Sequence, residues 1–239
     1  MRFPLLITGL LSALTSAKVL VSYSAAKHDQ TSSLGLLNLD GWGRKRPASR
    51  RLRFVSFLQG TPPPPSTPSA IQPPTSHDQP VKDKTYYIAY VVRFETAARG
   101  MIVFQWKDYA EKFIANDNIP ARLVFRSNNK GVGVKTNPYN AEKGVEAWTQ
   151  KMKLGKTYRF GIVVNTSQRN GYFEMYVDGH DVTGRIQGNY LPGGTKGAAS
   201  PKMGLYGAEE GLQGSDVYEV VVGTRMEDVS EVAGIPVGW

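Results

Sequence analysis

From Thr85 onward, apolar and polar residues alternate with a period of two. Each run is rich in β-branched and aromatic side chains and closes on Gly, Asn, Pro or Asp. The pattern predicts strands over Tyr86–Phe94, Met101–Lys107, Arg122–Arg126, Val132–Lys135, Thr157–Asn165, Tyr172–Val177, Lys202–Tyr206 and Val217–Gly223. A further run, Lys18-Val19-Leu20-Val21-Ser22-Tyr23, predicts one more strand near the start. Short strands at regular spacing argue for a sandwich or jelly roll. Asp178-Gly179 after an alternating run signals a tight hairpin turn. The only stretch with helical character is Asp108–Ala115, and the Gly-rich run from Leu191 to Gly197 reads as a surface loop.

Two segments break the alternation. Met1-Arg2, the apolar run Pro4 to Leu14, and then Thr15-Ser16-Ala17 have the order of a secretory signal, so residues 1–17 are expected to be cleaved. Residues 18–43 then supply a first strand region. From 44 to 80 the character changes: nine of the fifteen prolines lie here, and no acidic residue precedes Asp78. Such a composition buries too little apolar surface to offset its ordering entropy, so a basic, Pro-rich, disordered insertion is expected. A second account is retained intron in a mispredicted gene. Tryptic peptides from 54–80 in the natural secreted protein would eliminate it. Residues 81–239 are expected to form the main domain.

At 239 residues, with 41% hydrophobic content, the chain can bury one sizeable core. A secreted chain without cysteine must be held by packing rather than disulfides, which favours a large sandwich over a small stapled module. The net charge of +9 raises nucleic acid as a partner. Its location argues otherwise, because Arg44, Lys45, Arg46, Arg50, Arg51 and Arg53 carry most of the excess. No later segment has the ~20 apolar residues a spanning helix needs, so no membrane association is expected once the signal is removed. Asn165-Thr166-Ser167 is a sequon, hence a possible glycoprotein.

Several chemistries drop out. Gly155-Lys156-Thr157 has Gln150 where a phosphate loop needs glycine, and no Gly-x-Ser-x-Gly elbow is present. Without cysteine a thiol nucleophile is excluded. His28, His77 and His180 have no second ligand at metal spacing, so no metal site is expected. A glycoside hydrolase needs two convergent carboxyls; Glu95 and Glu174 lie on or beside strands, but their spacing does not show them facing each other.

Two segments remain: Phe104-Gln105-Trp106-Lys107 and Lys202-Met203-Gly204-Leu205-Tyr206. Strand alternation puts Gln105 and Lys107 on one face and Phe104 and Trp106 on the other; it likewise groups Lys202, Gly204 and Tyr206 against Met203 and Leu205. Each strand therefore has one apolar and one polar face. An ordinary half-solvated sheet would look similar, but Gln, Lys and Tyr beside a glycine also suit an anionic sugar.

With the Phe173-Glu174-Met175-Tyr176-Val177-Asp178-Gly179 hairpin between them and Val217–Gly223 closing the order, these strands resemble the heparin-lyase-like and glucuronan- and alginate-lyase-like polysaccharide lyases over roughly residues 84–226. The resemblance implies a concanavalin-like β-jelly-roll sandwich and β-elimination at a uronic acid, without an organic cofactor; structural calcium stays open. It implies Gln105 as the group that neutralises the carboxylate and Tyr206 as general base or acid, with Lys107, Lys202 and Arg93 binding substrate. Lysine near Tyr206 would lower its pKa toward the working range. Where these lyases commonly carry Gln-x-His, this chain has Gln105-Trp106-Lys107, so their groove histidine is absent. The expectation is a secreted, extracellular monomer acting on an acidic polysaccharide, with a lectin-like carbohydrate-binding module and a glycoside hydrolase as alternatives.

Overall fold

The computed structural model describes residues 19–29, 54–56, 83–95, 97–108, 119–126, 131–136, 144–191, 199–206 and 215–236, with backbone only at 54–56, 108, 132, 135, 199, 200 and 204–206. In chain order the strands are β1 (Val19–Ser24), β2 (Phe54–Ser56), β3 (Thr85–Phe94), β4 (Ile102–Asp108), β5 (Ala121–Phe125), β6 (Gly131–Thr136) and β7 (Val145–Lys151). They continue with β8 (Thr157–Asn165), β9 (Tyr172–Val177), β10 (His180–Asp181), β11 (Ile186–Gln187), β12 (Ala199–Tyr206) and β13 (Ser215–Gly223). One helix, α1 (Ser230–Ala233), follows.

All pairings are antiparallel, in two sheets. One runs β1-β13-β3-β8-β9-β10, with β11 also on β9; the other runs β2-β12-β4-β5-β6-β7. Alternation explains how they meet. Ile88, Tyr90, Val92 and Phe94 from β3, with Phe160 and Ile162 from β8, turn inward against Phe104, Trp106, Leu123, Phe125 and Met203 of the other sheet. The product is the all-β sandwich that the period-two pattern predicts. The Trp106 indole Nε1 donates to the Tyr190 carbonyl at 2.7 Å, so a core ring of the six-stranded sheet is tied to the segment following β11.

The β9–β10 turn is the expected tight one. Asp178 and Gly179 both have positive φ (49° and 85°), the combination that matches the right-handed strand twist. A Cβ on Gly179 would lie 2.1 Å from the Gly234 carbonyl oxygen, so this turn touches the C-terminal segment backbone to backbone. That segment crosses the outer face of the seven-stranded sheet, where Ala89, Val91, Val229, Val232, Ala233 and Ile235 form a second small core.

Four differences from the sequence reading have physical causes. Strand β7 escapes prediction because it is exposed along most of its length and carries a register shift opposite Val134/Lys135, which breaks its alternation. Phe54–Ser56, within the stretch 44–80 expected to be mostly disordered, is a short strand paired to β12; the rest of that stretch lies outside the described residues. Helix α1 was not predicted, being a single turn closed by Gly234 at φ 72°. Asp108 ends β4, and 109–115, where helix was expected, lie outside the described residues, as do the expected signal at 1–17 and residues 30–43. Among the described residues no helix is long and apolar enough to cross a membrane.

The sequon has a structural role. Asn165 Nδ2 donates to Thr85 Oγ1 at 2.9 Å, its Oδ1 accepts from the Ser167 amide, and Thr166 is buried with its hydroxyl donating to the Lys84 carbonyl.

Candidate functional site

On the six-stranded sheet, Phe104, Trp106, Leu123 and Met203 face the core, so their neighbours in sequence face outward. Register then decides which outward residues meet. Lys202 pairs directly with Gln105, and Gln105 pairs with Arg122, which makes a row across β12, β4 and β5. Directly opposed side chains sit about 5 Å apart at Cβ. Lys107 continues the same face two residues along β4 from Gln105. Tyr206 pairs with Ile102 after a register shift beyond Met203; its side chain lies outside the described residues.

The row is not an ordinary wetted surface. Gln105 is 3% exposed and Lys202 6% exposed. Lys202 and Lys107 both have interaction partners. Among the described residues the Gln105 side-chain nitrogen has no hydrogen-bond partner. An unmet buried amide donor costs about 1–3 kcal/mol.

Beyond Arg122 the same face sinks into a cavity of about 470 Å³ lined by Arg99, Ile102, Arg122, Val124, Arg126, Gly133 and Glu146, among others. Arg126 is ion-paired with Glu146. Gly133 forms part of the floor: a Cβ there would stand 3.1 Å from Arg126 Cδ and 3.3 Å from the Trp148 carbonyl oxygen, so the bare backbone lets the arginine lie across the sheet. Three arginines against one carboxylate make the cavity cationic.

The sequence reading put Arg122 and Arg126 on a strand but gave neither a place in the site. The signal was there, since alternation from the core residues Leu123 and Phe125 sends both arginines to the opposite face. Arg93, the remaining expected substrate ligand, is not brought to the row. It lies on the outer face of the other sheet, with Nη2 2.8 Å from Asp216 and 2.6 Å from Glu95.

His180 and Glu174 line a different cavity, on the seven-stranded sheet, and His77 lies outside the described residues. Glu174 accepts from Arg185 Nε at 2.8 Å, while Glu95 pairs with Arg93 at the far end of β3. The two carboxyls therefore do not converge as glycoside hydrolysis requires. Among the described residues no group of three His, Asp or Glu side chains could hold a metal ion.

No family model matches the sequence, and no curated protein matches it. Solved structures with a similar chain path include the endo-β-1,4-glucuronan lyase of the fungus Trichoderma reesei, at 14% identity and TM-score 0.48 over 82% of this chain and 87% of that one. An alginate lyase of Pseudomonas aeruginosa follows at 16% identity and TM-score 0.44, over 60% and 66%. The sialidase of Trypanosoma rangeli shows 19% identity and TM-score 0.41, over 64% of this chain and 22% of that one. Likenesses this distant carry no argument about what the chain does.

Proposed function

We propose that the outer face of the six-stranded sheet binds a secreted protein's substrate, an acidic, uronate-containing polysaccharide, and cleaves it by β-elimination. The observation that carries this reading is the row Lys202, Gln105 and Arg122 on three adjacent strands, with an unmatched amide donor at its centre. Gln105 Nε2 would donate to the uronate carboxylate, and the cationic groups beside it would favour the negative charge that grows there as the C5 proton leaves. Tyr206 is the residue assigned to proton transfer: a base takes the C5 proton, the C4–O bond breaks, and the leaving oxygen gains a proton, which yields an unsaturated uronate.

Ultraviolet absorbance of that product, measured on glucuronan, alginate and heparin-type polymers, tests the reading. Gln105→Ala is expected to lower product formation by about 10²-fold, the usual cost of one donor to a developing oxyanion. The alternative is a non-catalytic binding module, favoured by how little of Gln105 and Lys202 is exposed. Polymer binding without product in an intact protein would establish that alternative and end the lyase reading.

A further inference from the structure

The seven-stranded sheet has a cavity of its own, about 880 Å³, on the opposite side of the molecule's core from the arginine groove. Its floor follows from register. Tyr87 of β3 pairs with Val163 of β8, which pairs with Glu174 of β9, and all three point outward. Tyr172 and Tyr176 flank Glu174 two residues to either side, so tyrosines recur over about 13 Å of strand at ~3.3 Å per residue. The 3-10 turn Met226–Asp228, helix α1 and the residues just after it make the other wall, contributing Met226, Glu227, Ser230 and Ile235.

The charges are already spoken for. Arg185 Nε holds Glu174 at 2.8 Å, and its guanidinium lies 4.0 Å from the centre of the Tyr172 ring. Glu227 is 3.8 Å from Arg225. Asp181 Oδ1 accepts from the backbone of Thr183 at 3.1 Å and Gly184 at 2.8 Å, which fixes the turn. A strongly anionic ligand would find no countercharge waiting, because Arg185, the one arginine lining the cleft among the described residues, is already held by Glu174. Burial first, and Glu174 after it, pushes the Tyr176 phenol up to about 12; burial also raises Tyr87, so both hydroxyls stay protonated donors.

Half-buried aromatic rings, protonated phenols and carboxylates with spare lone pairs suit a ligand with apolar ring faces and many hydroxyls. We propose that this cleft is a second site, binding an uncharged sugar chain across Tyr87, Tyr172 and Tyr176. The site does not depend on the acidic-polymer reading of the other face, and together the two would let the protein hold a neutral polymer while working on a charged one.

Titration calorimetry of the full chain with cellohexaose and mannohexaose tests it. At least one is expected to bind with a Kd below about 1 mM. Tyr172→Ala should weaken that binding about tenfold, whereas Tyr172→Phe, which keeps the ring, should stay within about threefold. Gln105→Ala in the opposite groove should leave it unchanged, so failure here and failure of the lyase reading are separable. The proposal is overturned by no binding of either oligomer at millimolar concentration, by binding that ignores Tyr172→Ala, or by tighter binding of a glucosamine or guluronate hexamer than of both neutral probes.

Discussion

The two outer faces of this sandwich are built on the same alternating strands yet have opposite chemistries. The six-stranded face gathers Arg99, Arg122 and Arg126 around one glutamate over a glycine floor, and continues from Arg122 through Gln105, with its unmatched amide nitrogen, to Lys202. The seven-stranded face gathers tyrosines around carboxylates that already have partners, and the C-terminal segment roofs part of it. The inward halves together form one hydrophobic core. What differs is the outward chemistry: arginines outnumber the carboxylate lining one cavity, whereas in the other carboxylates outnumber the single arginine, and the two proposals rest on that difference.

The largest expected effect separates the faces structurally. Gly179→Ala puts a Cβ at positive φ and into the Gly234 carbonyl oxygen, so a loss of about 3 kcal/mol is expected, a fall in Tm of roughly 6–12 °C. Calorimetric unfolding checks it, and an unchanged Tm would mean that the C-terminal segment is not pinned there. Next comes Gln105→Met, which keeps the shape but removes the orphan donor. Product formation should drop about 10²-fold while stability holds or rises, since the amide nitrogen that is removed makes no hydrogen bond among the described residues. A parallel loss of stability would make Gln105 structural.

Arg122→Ala should raise KM for a polyuronate about tenfold and flatten its dependence on ionic strength, because exposed charge is screened by salt. Neutral-oligomer binding should not respond, and a response would dissolve the contrast between the faces. The smallest effect belongs to pH. With the Tyr176 pKa at about 12 when folded against 10.0 unfolded, the unfolded chain loses its proton first as pH rises, so this residue's contribution is intact below pH 10 and lost between 10 and about 12. Tyr176→Phe should make the fall of Tm over that window shallower. An unaltered slope would show the phenol to be solvated.

The sandwich was legible because Tyr172–Val177 keeps strict alternation and Thr157–Asn165 alternates over its first four residues before a fully buried run, and the predicted ends of both match the structure. Strand β7 was illegible because it is wetted on both sides, and a bulge there puts Ala147 and Trp148 together on the core. For the site, alternation foretold the outward direction of Gln105 and Lys202, but that they face each other is a matter of register between strands nearly a hundred residues apart. Arg93 shows the same limit in reverse. Its strand was correctly placed, yet pattern alone does not say to which sheet a strand belongs, and ion pairs with Glu95 and Asp216 already occupy it. The tyrosine cleft needed three strands and the C-terminal segment to converge, and no single run of sequence announces that.

Trp106 is the immediate neighbour of Gln105, and its indole hangs from the Tyr190 carbonyl in the segment that follows β11 on the opposite layer. The connection works like a strut through the interior. Lengthening the link between Gln187 and Leu191 by one residue would therefore detune the aim of the amide without altering any charged group, and would do so from the far side of the sandwich.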